Sequence, residues 1–583
     1  MIDQAPAFKG GRFVALTWRP TADSHRLERV RRKLSNWHIV EGSGWLLASE
    51  IATFAAESET HAVAITVPCL LDRDSQKLRN AASILQLLDA SGFQGVSGLA
   101  APFRLAWADR RPGVVSLAAD PVGLGHLFWA EQGGIALCGS SATLLSELLE
   151  APPALEGLAA FAQFGAFPFD ATPYDGVYKV LAGSYVRLED GRARRIEFNS
   201  SQSLLPLEEA FEQAVQSMLL AAPDAALELS GGLDSRLILA AIPREHRQGR
   251  LAVTIDDGRQ GSTEWAVAHR IAAMEKLEHR RVSLADARLD WGGAGIQAAL
   301  NHVLDGYDCM ANPVDKLPLT TVGQDEVGTA RFGGQNGEII RGFYYPLQPL
   351  EEPASAALVD RLIDWRLVSN DRVAPSMFST IGADALMAAR QLAADHLRQF
   401  QGSWGQVLDQ IYLHFRMQSW AGNAASNRFV GRAILWPFFD SRFLAAANAA
   451  PSRAKAGSSV AYKLLARLDP SLASVPLDNG LIPAALAKGR AGARLSHARF
   501  LARKAARKIG QKLRPAAGRV IGSDLIIDAW HNAGEYRFLD AHNLASLGLF
   551  EEQVLDGLMN GALKPDRPTL GFLTLCSRIA AAK

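Results

Sequence analysis

Apolar positions fall into two kinds of pattern along the chain. Over residues 12–18 and 62–71 they alternate with polar positions or run together with β-branched residues, the signature of strands. Similar short stretches follow at 103–109, 114–123, 126–129 and 134–141, joined by Gly, Pro and Asp turns. This predicts a layered sheet domain over residues 1–198, ended by a polar linker at 199–204. Beyond it, apolar residues recur at helical spacing over 207–220, and a short apolar run at 226–229 enters a glycine-bearing loop. A second apolar segment leaves the loop and stops before Pro243. A strand at 251–255 and a helix at 265–274 come next. Strand and helix alternate, which predicts an α/β domain over 205–583 with a doubly wound parallel sheet, ligands at its strand ends, and helices towards the C-terminus.

The loop at 229–235 reads Leu229, Ser230, Gly231, Gly232, Leu233, Asp234, Ser235. Gly231 and Gly232 lack side chains, so their N–H groups can approach an anion closely. Ser230 and Ser235 add hydroxyls, and a helix beginning at Ser235 would aim its free N–H groups and its dipole at the same point. These features describe a phosphate cradle. Asp234 fits beside a phosphate only with a hard cation between them, so it reads as a Mg²⁺ ligand. The loop lacks the lysine of the usual kinase and GTPase phosphate loop.

Composition narrows the context. Hydrophobic residues make up 48% of the 583 and charged residues 21%, the balance of a folded soluble protein with more than one core. Its 61 basic and 60 acidic residues leave a formal charge of +1, so no global field points to nucleic acid or a membrane. Cys69, Cys138, Cys309 and Cys576 are widely spaced, without a zinc or disulfide pattern, and read as reduced thiols. The N-terminus has no signal-peptide pattern and no apolar run approaches the ~20 residues of a membrane span, which predicts a cytoplasmic protein.

The string Ser230-Gly231-Gly232-Leu233-Asp234-Ser235 resembles the pyrophosphate loop of the ATP-pyrophosphatase enzymes in the form carried by asparagine synthetases. Members of that family use ATP and Mg²⁺ to adenylate a carboxylate, release pyrophosphate, and pass the acyl group to an amine. The resemblance places Thr254, Ile255 and Asp256 against adenine. It also matches residues 331–344 to a Gly-x-Gly-x-Asp-Glu stretch that closes over ATP, which implies nucleotide contacts at Gly333 and Gly334 and a metal-binding Glu338. The Asp of that motif is Gly337 here; Glu338 itself, Asp325 and Glu326 nearby, or a water would have to replace it. Residues 432–440 resemble the family's Arg-x-Pro-Phe-Leu-Asp segment, a largely packing element. A lysine that stabilises charge on the reacting phosphate has no match, since Asp478 and Asn479 stand near its place; Lys463 and Lys488 are weak catalytic candidates. The general base is unassigned.

Residues 95–198, with the turn and strand at 171–185, are similar to the glutaminase-like N-terminal domain of asparagine synthetases, which implies an Ntn-type αββα sandwich. A working glutaminase of this kind needs a Cys after Met1; this chain has Ile2, so ammonia is not expected to be made on site. The amine then comes with the substrate. Within the family, the altered motif and a basic amphipathic stretch at 494–514 look most like lasso-peptide macrolactam synthetases, which join a peptide's N-terminal amine to an Asp or Glu side chain. That implies a precursor peptide as substrate and, as partners, a leader-peptide-binding protein and a leader protease. A β-lactam synthetase-like enzyme, an ammonia-dependent asparagine synthetase paralogue, and a non-catalytic nucleotide-binding scaffold are the alternatives.

Overall fold

The computed structural model describes residues 7–111, 113–198, 204–256, 263–283, 295–321, 329–368, 372–489, 523–534 and 539–581, with single positions between 495 and 506. Ile2, Asp325, Glu326, the start of the linker and nearly all of the basic stretch at 494–514 lie outside the described residues.

Two six-stranded antiparallel sheets occupy residues 13–197. The first runs in the order Tyr178–Lys179, Phe128–Gln132, Ile135–Gly139, Phe13–Trp18, Trp45–Ser49, His38–Gly42. The second runs Arg192–Glu197, Ser184–Glu189, Val114–Ala119, Arg104–Asp109, His61–Ile65, Ala55–Glu57. Alternation along each strand explains the layering. Phe13 and Ala15 join Leu47, Ala106, Leu117 and Ala136 in a core between the sheets. Val14 and Leu16 point the other way, into the core shared with Leu144, Leu145 and Leu148 of the helix Ala142–Leu149. On the outer face of the second sheet, Ile84 and Leu88 of the helix Ala81–Ser91 pack on Val63, Ile65 and Leu105. Helices thus cover both outer faces of a two-sheet sandwich.

The second architecture is a five-stranded sheet, ordered Glu278–Ser283, Leu251–Asp256, Ala226–Glu228, Ala330–Phe332, Ala433–Leu435, with every pairing parallel. The chain is therefore a mixed α/β fold containing both antiparallel sheets and a parallel one. The sheet grows outward from the central strand Ala226–Glu228 through the next two strands in sequence. It then returns to add Ala330–Phe332 on the other side. This reversal creates a crevice at the C-terminal ends of Ala226–Glu228 and Ala330–Phe332, the place where open parallel sheets bind ligands.

Buried polar contacts join the two architectures. Arg104 donates to the carbonyls of His126 and Ser426 at 3.1 and 2.9 Å. The Asp308 carboxylate accepts from Ser141 Oγ and from the backbone of Ala142 and Thr143 at 2.5, 2.6 and 3.2 Å. Residues Tyr412–Met417 and Ile363–Leu367 form π-helical turns that continue the α-helices Trp404–Ile411 and Ala356–Leu362, and Tyr412 reaches Glu338 with a hydrogen bond of 3.0 Å.

Candidate active site

The predicted loop occupies the crevice. The strand ends at Glu228, and the helix Asp234–Ala241 starts one residue earlier than expected, so Asp234 is already in its first turn. No side chain among the described residues caps this helix, whereas Ser141, Ser379, Asp440 and Asp566 cap the helices that follow them. The uncapped N–H groups and the helix dipole remain for an anion.

The two serines have a different task from the one their hydroxyls suggest. Ser235 Oγ accepts from the Ser230 backbone N–H at 3.0 Å and lies 2.9 Å from Ser230 Oγ, while Ser230 Oγ accepts from Gly232 N–H at 3.2 Å. They close the loop on itself and hold its shape. Gly231 lets its neighbours approach closely: a Cβ there would lie 3.0 Å from Asp478 Cβ and 3.1 Å from the Glu264 backbone, so either would have to shift to admit a side chain. The Asp478 N–H also donates to the Gly231 carbonyl at 3.1 Å. Residues 475–480 and the start of the helix Thr263–Met274 therefore close around the loop.

Arg236 pins that arrangement and is absent from the sequence-level candidates. Fully buried, it donates to the carbonyls of Leu472, Val475, Pro476 and Gly231 at 3.3, 2.6, 3.2 and 3.3 Å. Burial lowers its pKa to about 10, with Asp478 opposing, so it stays charged at neutral pH. Its position directly after the loop was the only signal available.

The second motif lies across the first. A Cβ on Gly334 would meet Ser235 N at 3.1 Å and Asp234 Cβ at 3.2 Å, and one on Gly333 would meet Trp436 Nε1 at 2.6 Å. Asn336, at φ 75°, donates from Nδ2 to the Phe438 carbonyl at 2.7 Å and so ties this turn to the segment 437–439. That segment is packing material, with Phe438 and Phe439 buried.

Asp234 and Glu338, both predicted metal ligands, come together around Arg341. Arg341 Nη2 is 2.5 Å from Asp234 Oδ2 and 3.3 Å from Glu338 Oε1, and Glu338 Oε2 accepts from Tyr412 Oη at 3.0 Å. Asp234 Oδ1 is buried without a hydrogen-bond partner among the described residues. Burial raises the Asp234 pKa to about 7; Arg341 opposes that shift and Glu338 adds to it. Gly337 proves essential to the arrangement rather than a simple gap. A Cβ on it would fall 2.2 Å from Asp234 Cγ and Oδ1, so the Asp234 carboxylate fills the space that a side chain at 337 would take.

The orphaned Asp234 Oδ1 and the neighbouring Glu338 form an oxygen donor set suited to Mg²⁺. Arg341 is the cation that stands between them here. Among the described residues, no group of three or more His, Cys, Asp or Glu side chains is gathered as for a metal held by protein ligands alone. The set fits a cation that completes its coordination with phosphate oxygens and water.

The remaining candidates are placed as follows. Thr254 is buried at the end of the neighbouring strand, where its Oγ1 donates to the Leu229 carbonyl at 2.7 Å and contacts His279 Nε2 at 2.8 Å, so it braces the loop. The Asp256 carboxylate is buried and accepts from Arg281 Nε at 2.7 Å, and Arg281 lies over Trp265 at 5.2 Å. Ile255 packs beside Ala226 and Val253. Lys463 and Lys488 are exposed, and among the described residues neither is hydrogen-bonded or ion-paired to a site residue. The four cysteines are free thiols, three of them buried, and burial raises the pKa of each.

Comparison with known proteins bears on part of this site. Two solved structures share a likeness at low identity. One is the allosteric regulatory enzyme of purine biosynthesis, at 12% identity and TM-score 0.23, covering 46% of this chain and 80% of that one. The other is glutamine phosphoribosylpyrophosphate amidotransferase from B. subtilis, at 11% identity and TM-score 0.22, covering 46% of this chain and 65% of that one. No curated protein matches the sequence. Residues 206–290 match the family described as Asparagine synthase. The unit that carries the phosphate loop and Thr254 to Asp256 is thus asparagine synthase-like, and the match ends before the motif at 333–338.

Proposed function

We propose that the protein forms an amide bond by using ATP to adenylate a carboxylate, with release of pyrophosphate, and then transferring the acyl group to an amine. The observation that carries this reading is the convergence of the uncapped loop, Gly334 and the Asp234 and Glu338 carboxylates at one reversal point of a parallel sheet. The asparagine synthase-like match over the loop supports it.

In this reading the loop holds the triphosphate through backbone N–H groups, Ser230 and Ser235 keep the loop rigid, and Arg236 fixes it to residues 472–476. Bound Mg²⁺ would neutralise phosphate charge, and Asp234 with Glu338 would hold it. Most of the rate gain then comes from positioning and charge neutralisation. The two-sheet domain is read as a glutaminase-like scaffold. In support, every cysteine has its pKa raised by burial, the opposite of what a thiolate nucleophile requires. The amine accordingly comes with the substrate. The finest form of the proposal is closure of a macrolactam between the N-terminal amine and an Asp or Glu side chain of a lasso precursor peptide, in the cytoplasm, alongside a leader-peptide-binding protein and a leader protease.

A second reading, a nucleotide-binding scaffold without turnover, draws on Arg341, whose guanidinium stands between the two carboxylates meant for a metal. Purified protein with Mg-ATP and candidate precursor peptides separates the two: the enzyme releases pyrophosphate and yields a product lighter by one water. Asp234→Ala should abolish pyrophosphate release while leaving the circular dichroism spectrum and melting profile of a folded protein. Continued release in that variant would refute the metal assignment, and nucleotide binding with no release for any peptide would favour the scaffold.

A further inference from the structure

Beside the Asp234 and Glu338 cluster lies a strip of rings and guanidinium groups that the phosphate chemistry does not use. Tyr412, which donates to Glu338, has its ring 5.2 Å from that of Phe343. Phe343 in turn meets Tyr344 edge-on at 4.9 Å. The Arg416 guanidinium lies 4.6 Å from the Phe343 ring centroid and 6.0 Å from that of Trp420, and Arg366 lies 5.4 Å from that of Tyr344. Trp420 is 46% exposed, so the strip opens to solvent.

Three features mark the strip as a binding surface. First, neither arginine has a carboxylate partner among the described residues. Arg366 makes one hydrogen bond, to the Phe343 carbonyl at 3.3 Å, and Arg416 makes none, leaving its Nε buried and unsatisfied. By contrast, Arg331 is paired with Glu228 at 2.7 Å and Arg341 with Asp234. Second, the two cations are neighbours: burial lowers the pKa of Arg366, Tyr344 opposes that shift, and the charge of Arg416 adds to it. The ring faces attract each cation, but two like charges held together and partly buried repel unless an anion joins them. Third, each arginine stands on a π-helical turn, Arg366 within Ile363–Leu367 and Arg416 within Tyr412–Met417. Such turns are rare and are frequently found at functional sites.

We propose that this strip is the acceptor subsite for an acidic peptide, in which Arg416, supported by Arg366, binds a side-chain carboxylate while Phe343 and Trp420 pack against apolar residues flanking it and buried Tyr344 backs the strip. The planar guanidinium already lies on rings, so it keeps its hydrogen-bonding edge for two parallel bonds to a carboxylate. The subsite deepens the adenylation reading, because it delivers a carboxylate next to the phosphate loop, but its binding is measurable without turnover.

The probes are two fluorescein-labelled, end-capped pentapeptides, Gly-Phe-Glu-Phe-Gly and Gly-Phe-Gln-Phe-Gly, titrated with the full chain by fluorescence polarisation. A charge-assisted bond of this kind corresponds to a preference of about tenfold or more for the Glu peptide. Arg416→Gln should bring that ratio close to one, and Arg416→Lys should retain part of it. Binding of a non-hydrolysable Mg-ATP analogue, followed in parallel, should be unchanged in both variants and shows that they fold. Equal affinity of the native protein for the two peptides, failure to bind the Glu peptide at millimolar concentration, or a preference that survives Arg416→Gln would overturn the assignment. Loss of analogue binding by the native protein would instead refute the nucleotide reading and leave the peptide result standing by itself.

Discussion

Replacing Gly337 by Asp, the residue type that the family motif carries there, should damage the site and not repair it. The sequence resemblance makes Gly337 look like a lost metal ligand, but the structure gives its space to Asp234. A Cβ at 337 would sit 2.2 Å from Asp234 Cγ and Oδ1 and 2.7 Å from Oδ2. Even Gly337→Ala must therefore push Asp234 away from Arg341, at an overpacking cost of about 1–3 kcal/mol. If that cost falls on the bound state it is a ~5- to 150-fold loss of affinity for a Mg-ATP analogue. Asp adds a third carboxylate beside Asp234 and Glu338, and each such repulsion amounts to about 4 kcal/mol at 4 Å and an effective dielectric near 20, of which Arg341 offsets a part. The order native, Ala, Asp should hold in three measurements: calorimetric affinity for the Mg-ATP analogue, pyrophosphate release, and melting temperature. A Gly337→Asp variant that binds Mg-nucleotide more tightly than the native chain, with an unchanged melt, would refute this reasoning and restore position 337 as a vacated ligand site.

Two further predictions concern the frame of the site. Asp469 accepts from Arg247 at 2.6 Å and from the backbone of Ser471 and Leu472 at 3.0 and 3.1 Å. Its pKa, although burial pushes it up, is held at about 2 against an ordinary 3.8 by Ser471, then Arg247 and the Leu472 backbone. A depressed carboxyl pKa contributes stability that is complete above the unfolded value and fades as pH falls through 3.8 towards 2. Asp469→Asn should thus lose about 2 kcal/mol at pH 7 and flatten the acid limb of a melting-temperature profile between about pH 4 and 2; parallel limbs would disprove the linkage. Thr254→Val removes a buried hydrogen bond to the Leu229 carbonyl, for about 1 kcal/mol of stability. If Thr254 only braces the loop, affinity for the ATP analogue should change less than about threefold; a loss of about tenfold by calorimetry would assign it a direct nucleotide contact.

The amino-acid pattern dictates only short-range structure here. The run at 226–229, the paired glycines and the apolar segment beyond them dictate strand, loop and helix through short-range pattern and backbone freedom, and they lie where that pattern puts them. Alternation of strand and helix was enough for a parallel sheet, whereas residues 13–16 are all apolar, and only the packing of helices and a second sheet on opposite faces shows that this strand is buried on both sides. Tertiary structure decided everything that depends on residues far apart in the chain. Gly337 is an empty motif position until the strand Ala330–Phe332 pairs beside Ala226–Glu228 and brings it onto Asp234. Arg236 is one more residue of an apolar helix until residues 472–476 and the loop together offer it four carbonyls. Arg341 and Arg416 are ordinary surface-type residues by composition, and only the order of strands and the two π-helical turns set one between carboxylates and the other over the rings of Phe343 and Trp420. Hydrophobic period and turn chemistry act over a few residues, whereas charge pairing and close approach are fixed only once the sheet order has chosen the neighbours.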